Sequence, residues 1–424
     1  MEGGWYNAPP VQTRAIWFLA GAALAALIIF LVYQVPFVHD RMEWRLDAAS
    51  GIVRGWLRPG DTLPTARAPA AVTTPAARLP TAIALHPGTG AEGSPAVSAT
   101  PAATATPLPA SISLPAPAWE KQDWNNCGPA TLSLALRTFG WEGDQFDISN
   151  LLKPDRGDKN VNVEELVYYV RTQAGWLNAD FRVGGSLERL KSFLAAGYPV
   201  IIEKGFILDE NDGGGGWAGH YLLLTGYDDG QGVFITQDSN KGPDRNVPYA
   251  ELDEGWEAFN RVYLYLYPPE AQGEIEALLG ADADPDRNRA QALEAARKSI
   301  DLNSENPYAW FNLGSNLVYF ERYGEAADAF DSALSLGLPW RFTRYQFGPY
   351  IAYFNQARFQ DLVELADYTL FRTQKAEESH LWRGWARYRL GDLNAAIEDF
   401  RAALAVNPNY QDGLYALDFV GSTP

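Results

Sequence analysis

Cys127 is the only cysteine in 424 residues. It stands in Gln122-Asp123-Trp124-Asn125-Asn126-Cys127-Gly128-Pro129-Ala130-Thr131-Leu132, a polar turn followed by an apolar run that closes at Gly140. Asn126 can cap a helix starting at or just after Cys127. A thiol there feels the positive end of the helix dipole, which favours thiolate and raises nucleophilicity near neutral pH. The competing reading is a cysteine that only packs as a small hydrophobe, and its partners decide between the two. A cysteine nucleophile needs a base, a group that orients the base, and donors for the oxyanion. Of the four histidines, His39 and His86 precede the folded part and His380 lies in a repetitive helical region. His220 instead opens the apolar run Tyr221 to Thr225, and the next such run, from Val233, ends on Gln237-Asp238. Pairing of these runs as a hairpin through Asp228 to Gln231 would bring His220 and Asp238 to one sheet edge, where a carboxylate can fix the imidazole tautomer. Gln122 can offer a side-chain N–H to the oxyanion, with the Cys127 backbone N–H as second donor.

The elements that must position these residues lie between 119 and 269. Helical patterns follow Cys127 and recur over Val163 to Gln173 and Leu187 to Ala196. Strand-like runs come after them, at Pro199 to Ile202, His220 to Thr225, Val233 to Thr236 and Val262 to Leu266. Helices first and antiparallel strands afterwards is the order of an α+β domain rather than a parallel doubly wound sheet. Gly213 to Gly216, just before Trp217, is expected to be a mobile flap over a cleft.

Residues 307–424 are helical and repetitive. Trp310, Leu313, Gly314, Leu317, Ala326, Phe330 and Ala333 fall on tetratricopeptide positions, and Gly384, Ala396, Phe400, Ala403 and Pro408 fall on them again. The stretch between fits poorly. An all-α solenoid of three repeats follows, with 270–306 as a helical connector holding part of a preceding repeat. Each helix pair buries its apolar face only by stacking on the next, and the stack leaves a concave groove suited to a protein partner.

The amino-terminal third reads differently. After a tail of residues 1–14, the uncharged run 15–37 is long enough for one membrane-spanning helix, with Trp17, Tyr33 and Phe37 near its ends. Residues 38–58 mix Trp44, Leu46, Ile52 and Trp56 with four arginines and read as an amphipathic segment on lipid headgroups. Residues 59–118 are Pro-, Ala- and Thr-rich, too poor in large apolar residues to bury a core, and read as a disordered stalk. The arginines after the span favour a cytoplasmic folded part, whereas the stalk favours an extracytoplasmic one. The stalk carries more weight, so an extracytoplasmic head is the expectation, with the cytoplasmic orientation kept as the alternative.

Composition sets outer limits. A content of 47% hydrophobic and 13% aromatic residues can fill real cores. One cysteine excludes an intrachain disulfide and a thiolate zinc cluster, and scattered histidines do not replace it. Neither metal nor cofactor is expected. The net charge is −18, and residues 1–118 hold 7 Arg against 6 Asp and Glu, so the acidity sits in the folded part. That speaks against nucleic acid as a partner.

Residues 119–268 resemble the C39-like branch of the papain-like peptidase C39 family. The resemblance rests on Gln122, Asn126-Cys127-Gly128-Pro129-Ala130, Gly219-His220-Tyr221 with Thr225-Gly226-Tyr227-Asp228, and Gln237-Asp238-Ser239. It implies Cys127 as nucleophile, His220 as general base and acid, Asp238 as orienter and Gln122 in the oxyanion hole. These 424 residues do not include the transporter to which bacteriocin-processing members are fused, and Gln122 stands one residue closer to the cysteine than in papain. The expected activity is hydrolysis of a peptide or protein substrate through a thioester, beside repeats that recognise protein. A catalytically silent papain-like module that binds peptides is the alternative, and acyl transfer to an amine is a third reading.

Overall fold

The computed structural model describes residues 11–57, 62–65, 107–208 and 216–424. Residues 1–10, most of the expected stalk, and Gly213 to Gly215 of the expected flap lie outside the described residues.

Two helices come first, α1 (Val11–Tyr33) and α2 (Pro36–Leu57). The next unit runs β1 (Ser111–Ser113), α3 (Cys127–Arg137), α4 (Gln145–Leu152), α5 (Val163–Gln173), β2 (Asn178–Arg182), α6 (Leu187–Ala195), β3 (Val200–Leu208), β4 (Gly216–Asp228), β5 (Val233–Asp238), β6 (Gly242–Pro248), α7 (Tyr249–Glu257) and β7 (Tyr263–Tyr267). Its sheet is antiparallel throughout, ordered β2-β7-β3-β4-β5-β6. β1 lies beside the end of β4, pairing Ile112 with Tyr227 where β3 has already stopped at Val200. The folded unit therefore begins inside the segment expected to be stalk.

Central β4 explains itself from its sequence. Tyr221 and Leu223 pack with Leu132, Leu134 and Leu166 of α3 and α5, while Leu222 and Leu224 pack with Phe193 of α6 and Trp256 of α7. A strand covered on both faces reads as a continuous apolar run. The helix starts are also local. Asp144 closes a capping box with Asp147 at α4, and Asn162 does so with Glu165 at α5.

The remainder is helical: α8 (Gln272–Leu279), α9 (Pro285–Leu302), α10 (Pro307–Tyr319), α11 (Tyr323–Ser335), α12 (Gly348–Asn355), α13 (Phe359–Arg372), α14 (Glu377–Arg389), α15 (Leu393–Val406) and α16 (Gln411–Phe419). Gly314 and Gly384 let paired helices close: a Cβ there would lie 2.6 Å from Phe330 and 2.5 Å from Phe400. The middle pair departs from this pattern. α12 is short and follows a single 3-10 turn, Phe342–Arg344, which agrees with the poor fit of that stretch to the repeat spacing.

The expectation of a single-pass membrane anchor over 15–37 is corrected. Among the described residues no helix is long and apolar enough to cross a membrane. Single-pass placement and an extracytoplasmic head lose their support with it. Apolar side chains of α1, Trp17 and Ile29 among them, are exposed. The headgroup reading of 38–58 changes too, because α2 lies along α13. Small Gly51 and Gly55 face Arg372, and Arg54 Nη2 donates to Gln374 Oε1 at 3.1 Å. Leu63 then buries itself against the array, its N–H bonded to the Leu338 carbonyl at 2.9 Å.

Candidate active site

α3 begins on Cys127 itself. The turn before it needs Asn125 in the left-handed region, φ 53°, which asparagine tolerates better than most residues. Asn126 is the residue before the helix, but its side chain makes no capping bond there. Its Nδ2 donates instead to Gln145 Oε1 at 2.8 Å. The expected cap is thus replaced by a tertiary one. Gln145, buried at the start of α4, also accepts from the Asp123 N–H at 2.7 Å and donates to the Lys121 carbonyl at 2.9 Å and Glu120 Oε2 at 3.1 Å. Four bonds from one amide hold the loop that presents the cysteine. Nothing in the sequence near residue 145 signals this, because the partners are some 20 residues away.

Gln145→Ala would strand several of those groups in a buried setting, at about 1–3 kcal/mol in all. We expect a lower melting temperature and weaker protection of the 120–126 amides in hydrogen exchange. An unchanged melting curve would contradict the role.

The same helix end is pinned to β4. Thr131 Oγ1 donates to the Tyr221 carbonyl at 3.2 Å, and the Tyr221 ring lies 3.4 Å from where a Cβ on Gly128 would stand. On β4, the last registered pair with β5 is Leu223 with Gln237, so Asp238 lies one residue beyond the ladder and His220 three residues before Leu223. The two meet diagonally: His220 Nε2 and Asp238 Oδ1 are 2.9 Å apart, both buried. Asp238 Oδ1 also accepts from the N–H groups of Asn240, 2.8 Å, and Lys241, 3.0 Å. Trp119 Nε1 donates to the Asp238 carbonyl at 3.0 Å, and the Phe206 ring lies against His220 with centroids 5.1 Å apart.

The electrostatics favour an ion pair. Burial pushes the Cys127 thiol up, but its hydrogen bond to His220, the imidazolium charge and the amides of Tyr221 and Gly128 leave it below its ordinary value. Burial lowers His220, yet Asp238 and Cys127 outweigh it and raise the imidazole to about 9. Asp238 is held below the usual carboxylate range by His220 and two backbone amides, against burial. These signs shift the balance from the neutral pair toward thiolate and imidazolium.

Gln122 is tied to the residue after Asp238. Its backbone N–H reaches the Ser239 carbonyl at 2.8 Å, and its Oε1 accepts from Ser239 Oγ at 2.9 Å. Asp123 pairs with Arg156, and Asp228 closes the β4–β5 turn by accepting from the Gln231 N–H at 3.1 Å. Tyr221 donates to the Val161 carbonyl at 3.0 Å, a packing position. Glu203, opposite Tyr221 in the β3–β4 register, is buried, and its carboxyl is pushed well up by burial and by the charge of Cys127.

Residues 113–266 match the Peptidase_C39 like family. This segment is a peptidase C39-like domain. Residues 377–410, α14 and α15, match the tetratricopeptide repeat. Solved structures are similar to parts of the chain. A C39-like peptidase from Bacillus anthracis is 21% identical, with a TM-score of 0.31 over 37% of this chain and 97% of that one. YrrB, a tetratricopeptide protein with an unusual peptide-binding site, is 16% identical, with a TM-score of 0.19 over 34% of this chain and 88% of that one. A tetratricopeptide repeat-containing protein of Methanocaldococcus jannaschii is 27% identical over 195 residues, 40% of this chain. The chain covers 29% of that relative's length.

Proposed function

We propose that the C39-like domain is a cysteine peptidase whose nucleophile is Cys127. The observation that carries this reading is the 2.9 Å bond between His220 Nε2 and Asp238, which leaves the other ring nitrogen, Nδ1, to serve the thiol. The Cys127 thiolate attacks a peptide carbonyl carbon, and the oxyanion takes the Cys127 N–H and the Gln122 side-chain N–H. The Ser239 hydroxyl on Gln122 Oε1 supports that role by holding the amide's oxygen end, so that its NH₂ end can serve the oxyanion. His220 Nδ1 gives its proton to the leaving amine as the C–N bond breaks, leaving a thioester. Neutral His220 then takes a proton from water, hydroxide attacks the thioester, and the acid departs as the thiolate re-forms. The helical array is the module for protein recognition, which brings substrate or an assembly to the domain.

The test is interception of the thioester. Full-length protein mixed with an activated peptide ester and quenched in acid should carry one acyl group on Cys127 by mass spectrometry. Added hydroxylamine should remove it, and Cys127→Ala should never gain it. Turnover without that adduct would discard the covalent route.

A further inference from the structure

The wall behind His220 is not made by the C39-like domain alone. At His220 the ladder to β5 has ended, so β4 is held there by β3 and by whatever packs on its other flank. Gly219 shows what that is. A Cβ on it would stand 2.7 Å from Phe259 Cζ and 3.0 Å from Tyr345 Cδ1, so two rings rest on the bare backbone next to the candidate base. Tyr345 belongs to the connector between α11 and α12, in the helical array. Trp217, two residues before Gly219, is enclosed in the same way, with ring centroids 5.8 Å from Phe259, 5.1 Å from Phe342 and 5.8 Å from Tyr345. Gln346 Nε2 fastens the connector to the Ala258 carbonyl at 2.8 Å. The contact is electrostatic as well as steric: burial pushes the Tyr345 hydroxyl up to about 12, with Cys127 adding to the rise and Arg341 and the Gly219 amide opposing it.

We infer that Tyr345 of the helical array is a positioning residue for the Cys127–His220 pair, so that docking of the array sets the reactivity of the thiol. The physical reason is tolerance. A charge-assisted contact between ring nitrogen and sulfur degrades with displacements of half an ångström, and the Tyr345 ring limits how far the Gly219–His220 backbone can recede. The inference rests on the ion-pair reading above and gives the array a part in the chemistry beyond recognition.

The experiment measures alkylation of Cys127 by iodoacetamide from pH 5 to 10 in the full chain, for wild type, Tyr345→Phe, Tyr345→Leu, Tyr345→Ala and His220→Ala. Thiolate fraction sets the rate, so the profile reports the pair and not the fold. Tyr345→Ala should lose about ten-fold at pH 6 and stay within about two-fold of wild type at pH 10. Tyr345→Phe keeps the ring and should keep the profile. Tyr345→Leu retains bulk without the flat face and should fall between, which serves if the alanine variant fails to fold. Wild-type profiles in the leucine and alanine variants would overturn the inference while leaving the ion pair intact. A wild-type protein without reactivity at pH 6 would overturn the ion pair, and the inference with it.

Discussion

His220→Ala is expected to slow alkylation of Cys127 at pH 6 by between about ten- and a hundred-fold, the scale on which a neighbouring cation alters cysteine reactivity. In the native site burial works against the thiolate, and His220 supplies both the hydrogen bond and the charge that reverse it. Without the ring, burial is opposed mainly by the amides of Tyr221 and Gly128. The alkylation limb should then move to higher pH, while the rates converge at pH 10, where both proteins carry thiolate. Coincident profiles would mean that His220 does not charge the sulfur. Hydrolysis should respond at the other end too. His220 is raised to about 9, so the imidazolium that protonates the leaving amine is lost above that pH and the rate should fall. Stability follows the same signs. The contribution of His220 is complete below its ordinary value of 6.5 and disappears as pH rises through about 9. That of Asp238, a lowered carboxylate, is present above the usual carboxylate range and is lost as pH falls through its own folded value.

What could be read from residues alone was what local spacing controls. The β4–β5 hairpin was legible because an Asp-Asp-Gly-Gln turn separates two apolar runs, and the turn carries His220 to Asp238 despite the register shift between Leu224 and Gly226. The repeats were legible where Gly314 meets Phe330 and Gly384 meets Phe400, since that close approach demands a missing side chain. The middle repeat was not, because the 3-10 turn Phe342–Arg344 serves the contact with the C39-like domain through Phe342 on Trp217 and Arg344 on Asp158. The helix cap failed for a related reason: Asn126 has a tertiary partner in Gln145, and capping rules see only neighbours in sequence. α2 is the most instructive case. Apolar residues interleaved with arginine suit a lipid surface and a polar helical array alike, and what separates the two is tertiary: Gly51 and Gly55 against Arg372, with Arg54 on Gln374. The strand at Ile112 was hidden among prolines, and its partner is 115 residues away.

Replacing Arg344 by methionine should cost about 3–5 kcal/mol, the usual result of leaving buried charges without their counterion. Arg344 is fully buried, pairing with Asp158 of the C39-like domain and, at 3.2 Å, with Glu378 of α14. Burial would lower its pKa, but Asp158, Glu378 and Glu377 more than compensate. Glu165 and Glu377 join the same interior, both pushed well up by burial and by neighbouring carboxylates. Asp158 and Glu378 are raised by burial against the pull of Arg344. Lys153 faces the cluster as well, and Lys375 spans the boundary to Asp155 at 2.6 Å. The sign of the pH effect follows. Carboxyls raised in the folded state bind more protons there than when unfolded, so stability falls as pH rises through their folded values. Arg344→Met removes the cation that restrains this rise, so its unfolding free energy should recover on going from pH 8 to pH 5 more than that of the wild type. Adding Glu378→Gln to Arg344→Met should return part of the loss at pH 7, because the pair is coupled. A single variant within 1 kcal/mol of wild type, with the same dependence on pH, would show that this junction does not bind the array to the C39-like domain. Tyr345 is the next residue along the chain, so the charge that anchors the connector and the ring that braces His220 are one element. Loosening the first should therefore reach the thiol through the second.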